Sequence, residues 1–136
     1  MSAQLTHGGR SLAGSRVLVV EDNPINQLVV KEFLVLSGIQ VDIANHGKEA
    51  LNRLELHQYD AILMDVHMPE MGGVEATQRI RQQSQYKHLP IIALSAGVTQ
   101  EERTHILECG MNAFVAKPIV PKILLATLGE WIGRYH

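Results

Sequence analysis

Five short apolar runs punctuate the chain, at residues 17–20, 39–44, 61–64, 90–94 and 111–116. Four of them are uninterrupted by charge and partly β-branched, the signature of strands buried on both faces; the second alternates polar with apolar and reads as half-buried. The stretches between them carry helical spacing. Asn23-Pro24 opens the first helix, since Pro24 fits the first turn at no hydrogen-bond cost, and Ile25, Leu28, Val29, Glu32, Phe33 and Leu36 trace a largely apolar face that Gly38 stops. Asn45 or His46 can cap a second helix that carries Ala50, Leu51 and Leu54 inward. After Gly72-Gly73, Val74, Thr77 and Ile80 mark a third, with Arg79 and Arg81 assigned to its solvent side. Thr99 followed three residues later by Glu102 is a capping-box signature for a fourth, running to about Cys109 before Gly110. Pro121 starts the last, with Ile123, Leu124, Leu128 and Trp131 as its apolar positions. Strand then helix, five times over with long connections, predicts parallel pairing through right-handed crossovers and a doubly wound, three-layer α/β sandwich.

Composition narrows the setting. At 136 residues the chain suits one domain with a core large enough to need no disulfide or structural metal. Residues 1–15 are polar and glycine-bearing and read as a flexible tail or linker, 16–133 as the domain, and 134–136 as a short C-terminal tail. A formal net charge of −2 without any cluster of Lys and Arg offers no electrostatic footprint for nucleic acid or an anionic membrane. Cys109 is the single cysteine, which rules out an internal disulfide. No apolar run approaches the roughly 18 residues that span a bilayer, and the start of the chain lacks the apolar segment of a signal peptide, so a cytoplasmic setting is expected.

The chemistry is concentrated at the strand exits. The first strand delivers Glu21 and Asp22, the third Asp65, the fourth Ser95 and the fifth Lys117. A parallel sheet puts all these ends on one edge, where open α/β sheets bind their ligands. Taken singly, each has an ordinary explanation: Asp65 can cap the turn before Pro69, Glu21-Asp22 can be turn residues, and Lys117 can be solvated. Together, three converging carboxylates repel, and a hard divalent cation relieves the conflict; oxygen ligands suit Mg²⁺, with Mn²⁺ as the alternative. Lys117 adds a point charge suited to a phosphoryl group, and Ser95 a hydroxyl donor. Neither Gly-x-Gly-x-x-Gly nor Gly-Lys-Ser/Thr follows a strand, and no Gly-x-Ser-x-Gly elbow is present, which argues against dinucleotide binding, nucleotide hydrolysis and serine-hydrolase chemistry. A carboxylate can itself be the nucleophile toward phosphorus. On that reading the protein is its own substrate.

The separated motifs Val17-Leu-Val-Val-Glu21-Asp22-Asn23, Asp65-Val-His-Met-Pro69, Ser95-Ala96 and Lys117-Pro118 closely resemble those of two-component receiver domains, the phosphoacceptor modules of response regulators and hybrid sensor histidine kinases. The resemblance covers about residues 16–131. It implies a flavodoxin-like (βα)5 fold with a parallel sheet in the order 2-1-3-4-5, two helices on one face and three on the other, and a cis Lys117-Pro118 bond. It further implies that Asp65 takes a phosphoryl group from a phosphohistidine. Asp22 and Asp65 would ligate Mg²⁺ directly, the His67 backbone carbonyl would be a third ligand, and Glu21 would act through a metal-bound water. Ser95 would turn its hydroxyl to the phosphoryl group, Lys117 would pair with it, and Phe114, by itself an ordinary core phenylalanine, would be the aromatic residue whose rotamer reports the state.

Two positions depart from the commoner family form: Gly72 stands where aspartate is frequent, and Ala113 precedes the switch aromatic where aspartate is also frequent. The wording Asp22-Asn-Pro-Ile-Asn-Gln27 and Cys109-Gly-Met-Asn112 looks most like receivers attached to hybrid kinases. The implied partner is a histidine kinase or a histidine phosphotransfer protein, with further domains in a parent chain and output through protein contacts. Two alternatives stay open. A Mg²⁺-dependent phosphatase using an aspartyl phosphate would want an acid two residues after the nucleophile, where His67 stands; a pseudo-receiver that only binds protein would have lost an acid from the pocket, and none is lost.

Overall fold

The computed structural model describes residues 6–7, 10–68, 71–96 and 99–134. Five parallel strands, β1 (Arg16–Val20), β2 (Gln40–Ala44), β3 (Ala61–Asp65), β4 (Ile91–Ser95) and β5 (Ala113–Ala116), form one sheet in the order β2-β1-β3-β4-β5. Each is followed by a helix: α1 (Pro24–Leu36), α2 (Gly47–Leu56), α3 (Gly73–Arg81), α4 (Gln100–Glu108) and α5 (Pro121–Arg134). This is the three-layer α/β sandwich that the alternation of strand and helix patterns predicts, in the flavodoxin-like strand order that the family resemblance implies.

Strand periodicity splits the core in two. Val17 and Val19 of β1 point to the face covered by α1 and α5, where they meet Val30, Leu34, Leu124 and Leu128. Leu18 and Val20 point to the opposite face with Ala50, Ala76, Ile80 and Ile106 of α2, α3 and α4. Because successive side chains of a strand point to opposite faces, both sets must be apolar, and β3 and β4 are buried at every position.

The caps show where local chemistry fixes the element ends. The Asn23 side chain accepts from the N–H groups of Ile25 and Asn26. His46 rather than Asn45 caps α2, its ring nitrogen accepting from the Glu49 N–H. Gly38 closes α1 at φ +80°, a left-handed conformation that only glycine adopts freely.

Four details differ from the sequence pattern. Helix α1 buries Val30 and Leu34, with Phe33 half-buried, while Ile25, Leu28, Val29 and Leu36 lie exposed. Apolar residues run almost all the way round this helix, so their spacing does not select a face; the fit against the sheet does. Ile123 of α5 is likewise exposed. Arg81 does not face solvent: its guanidinium donates to the carbonyls of Gly110 and Tyr86 and to Asn112 Oδ1, tying α3 to the turn before β5. Within the stretch upstream of Arg16, Thr6–His7 pairs antiparallel with Arg10–Ser11, Leu12 is buried in the α1/α5 core, and the Gln40 N–H bonds to the Ser15 carbonyl.

Candidate phosphoacceptor site

Parallel register brings the acids together. Val20 lies opposite Met64 and Asp65 opposite Leu94, so the residues that follow β1 and end β3 share one edge. Oxygen atoms of Glu21, Asp22 and Asp65 all lie within 4.8 Å of one another. Glu21 and Asp65 are buried, and Asp22 is exposed at the mouth. Lys117, delivered by β5, reaches back between the two buried acids: its Nζ is 3.2 Å from Asp65 Oδ1 and 3.2 Å from Glu21 Oε2. The His67 backbone N–H donates to Asp65 Oδ1 at 3.2 Å, and the Asn23 N–H to Glu21 Oε1 at 3.2 Å. The Lys117-Pro118 peptide is cis, as the family resemblance implies.

Ionised, three carboxylates against one ammonium would leave the pocket short of positive charge. Burial raises the pKa of Glu21, and the Asp65 charge raises it further, against the pull of Lys117. Burial alone would lower the Lys117 pKa, but the charges of Asp65 and Glu21 outweigh it and hold the ammonium above the usual lysine value. Glu21 Oε2 is fully buried and has the Lys117 ammonium contact but no well-formed hydrogen bond. An all-oxygen cluster with surplus negative charge and an under-satisfied buried oxygen fits a hard divalent cation such as Mg²⁺.

The remaining sequence-derived residues lie beside this cluster. Ser95 ends β4, is fully buried, and donates its hydroxyl to Glu102 Oε1 of α4. His67 Nε2 lies 3.2 Å from Glu102 Oε2. Phe114 is half-buried on the α4 side of the sheet, with the Arg103 guanidinium 4.9 Å from its ring centroid. Pro69, the end of the Asp65 motif, lies outside the described residues. Sequence reasoning missed Glu102 and Arg103 as site neighbours. Glu102 carried a visible signal, but as a capping residue; Thr99 Oγ1 does accept from its N–H at 3.1 Å, while its carboxylate turns to Ser95 and His67. Asn26 was also missed; its side-chain amide sits 3.5 Å from Glu21 Oε1.

The start of α3 is wedged against the backbone of Asp65. A Cβ on Gly73 would stand 2.4 Å from the Asp65 carbonyl oxygen and 3.0 Å from Val66 Cα, whereas one on Gly72 meets nothing closer than 3.6 Å. Gly73→Ala is therefore expected to destabilise the fold by about 2–3 kcal/mol, and Gly72→Ala to change it little. Urea unfolding of the two variants checks this; equal midpoints would mean that α3 shifts freely away from Asp65.

Comparison with known proteins agrees with this geometry. Residues 17–129 match the family model described as "Response regulator receiver domain". The hybrid signal transduction histidine kinase I of Dictyostelium discoideum is 38% identical over 140 residues, covering 94% of this chain and 8% of that protein. The receiver domain of sensor histidine kinase PA1611 from Pseudomonas aeruginosa, solved with magnesium coordinated in its active-site cleft, is 42% identical with a TM-score of 0.83, covering 89% of this chain and 99% of that one. The receiver domain of the response regulator Ssk1 from Saccharomyces cerevisiae, solved with the phosphotransfer protein Ypd1, is 30% identical with a TM-score of 0.82, covering 90% of this chain and 91% of that one. The chain spans only about a tenth of the length of the curated kinases it matches. Among the described residues no helix is long and apolar enough to cross a membrane. The Glu21, Asp22 and Asp65 cluster at the end of this sheet is suited to Mg²⁺-dependent aspartate phosphorylation, as in two-component signalling, and the chain belongs to the response regulator receiver domain family.

Proposed function

We propose that this receiver accepts a phosphoryl group on Asp65 from the phosphohistidine of a histidine kinase or a histidine phosphotransfer protein. The observation that carries the reading is the Asp65 carboxylate, buried at the end of β3 with the Lys117 ammonium 3.2 Å away and two further acids beside it. In the step, an Asp65 oxygen attacks phosphorus while the P–N bond breaks, and the departing imidazole nitrogen keeps the electron pair. Lys117 balances the charge that develops on the phosphoryl oxygens, and the His67 N–H orients the nucleophile through Asp65 Oδ1. A Mg²⁺ ion held by Asp22, Asp65 and the His67 carbonyl, with Glu21 acting through a bound water, would supply further charge neutralisation. Ser95 and Phe114 then report the new charge to the surface of α4, β5 and α5. The working unit is residues 16–133 with Leu12 packed onto its α1/α5 core, and the histidine kinases among its relatives, of which it matches about a tenth, support a parent chain of that kind.

A docking place for the donor adjoins the pocket. Helix α1 starts directly after Glu21 and Asp22, and its first turns expose Ile25 (72%), Leu28 (63%) and Val29 (39%). Exposed apolar side chains beside a charged pocket suit a partner that brings a phosphohistidine flanked by its own apolar surface. The yeast relative was solved with a histidine phosphotransfer protein. Leu28→Asp is expected to leave phosphorylation by acetyl phosphate intact but to slow transfer from a phosphorylated phosphotransfer protein by roughly ten-fold or more. Radiolabel transfer measures both. Equal loss with both donors would place the defect in the pocket, and loss with neither would remove α1 from the docking surface.

A further inference from the structure

The Ser95 hydroxyl has one proton to donate and, in this structure, Glu102 takes it. Ser95 is 0% exposed, so no bulk water competes for that proton; its choices are protein acceptors or a group newly placed at the pocket. Glu102 is itself held, its second oxygen lying 3.2 Å from His67 Nε2 on the loop after β3. The next residue, Arg103, stacks its guanidinium over Phe114 at 4.9 Å. Two consecutive residues of α4 thus engage the two side chains that the proposed function needs to move.

We infer that Glu102 is a positioning residue for Ser95, holding its hydroxyl in the unphosphorylated state and releasing it when Asp65 carries a phosphoryl group. The inference rests on the receiver reading and deepens it. A serine cannot donate its single proton to a carboxylate and to a phosphoryl oxygen at once, so the two bonds are mutually exclusive. The carboxylate has a second resting place. Thr99 Oγ1 already accepts from the Glu102 N–H, and the reciprocal arm of a capping box would return the Glu102 carboxylate to the Thr99 N–H. Helix α4 therefore has two alternative arrangements at its first turn, one closed on Ser95 and one on itself, and the phosphoryl group selects between them. Arg103, the next residue of the same turn, stacks on Phe114, so the turn that holds Ser95 also touches the switch aromatic.

Beryllofluoride with Mg²⁺, a stable stand-in for the phosphoryl group, tests this on the 136-residue protein. Glu102→Ala removes the competing acceptor, so it should bind beryllofluoride about five- to ten-fold more tightly than the parent. Without ligand, its Phe114 and Val115 amide resonances should lie part of the way toward the positions that the parent reaches with ligand. Glu102→Gln keeps an acceptor of the same reach and should restore most of the parent affinity, and the parent's Thr99 amide should shift downfield on binding as the capping box closes. In a Ser95→Ala background, Glu102→Ala should add nothing, because the bond it breaks is already gone. Parent-like affinity and spectrum in Glu102→Ala would overturn the inference, as would a full gain persisting without Ser95. A parent protein that binds no beryllofluoride overturns the receiver reading itself, and this inference with it.

Discussion

With Mg²⁺ and acetyl phosphate, the protein is expected to gain a single adduct of about 80 Da, the mass of one phosphoryl group, and Asp65→Asn to gain none. Among the three clustered acids Asp65 is the one placed to be the nucleophile. Asp22 is exposed at the mouth, and Glu21 is buried behind it with Oε2 against the Lys117 ammonium, its pKa raised by burial and by the Asp65 charge. Asp65 is buried, its Oδ1 is held by the His67 N–H and the Lys117 ammonium, and it ends the central strand of the sheet. Lys117→Ala should slow adduct formation by roughly a hundred-fold, the scale seen when one preorganised donor is removed from a developing anion. Intact-mass spectrometry with peptide mapping reads all three proteins. The same experiment separates a receiver from a phosphatase. A phosphatase would turn over many equivalents of donor, whereas His67, standing where such an enzyme wants an acid, has its ring directed to Glu102. Stoichiometric uptake supports the receiver; an adduct that persists in Asp65→Asn would assign the chemistry to another residue.

How much of this was legible in the sequence depends on what kind of physics set each feature. The strand exits were legible because a buried parallel strand is a short apolar run that stops at its first charged or polar residue, and the residues at those stops are Glu21, Asp65 and Ser95. Topology then brings them together without any further information from the side chains. Helix α1 was harder. Val30 and Leu34 face the sheet although Ile25, Leu28, Val29 and Leu36 are as apolar, because the choice is made by contact with Val17, Val19 and Leu63 across the layer. Arg81 was misassigned for a related reason: a charged residue at the end of a helix is ordinarily solvated, and only the tertiary fold brings the Gly110 and Tyr86 carbonyls within its reach. Glu102 was legible as a capping residue from its spacing to Thr99, yet its side chain answers to Ser95 and His67, partners seven and thirty-five positions away. The sequence pattern therefore reports backbone roles well, and reports the aim of a polar side chain only where neighbours along the chain decide it.

Removal of Mg²⁺ should lower the melting temperature of the protein, and replacement of Asp22 should abolish that dependence. The geometry places three carboxylates within 4.8 Å with one ammonium beside two of them, so the metal-free native state carries repulsion that the unfolded chain does not. A cation that binds only the native state stabilises it by mass action, by about 2.7 kcal/mol at a concentration a hundred times its dissociation constant. For a domain of this size that corresponds to a rise of roughly 5–10 °C in the midpoint. Asp22→Ala removes a proposed ligand and one of the repelling charges together. Its metal response should vanish while its metal-free midpoint equals or exceeds that of the parent. Glu21 gives the effect a pH dependence. Its folded pKa is raised above the ordinary value of 4.5, so the stability it contributes is fully present below that value and is lost as pH rises through the higher folded one. The metal-free protein should thus lose stability across that window, and the Mg²⁺ increment should grow across it as the site gives up its proton. Thermal melts over a grid of pH and Mg²⁺ for the parent and Asp22→Ala decide the matter: an equal rise with Mg²⁺ in both proteins would move the metal away from this pocket.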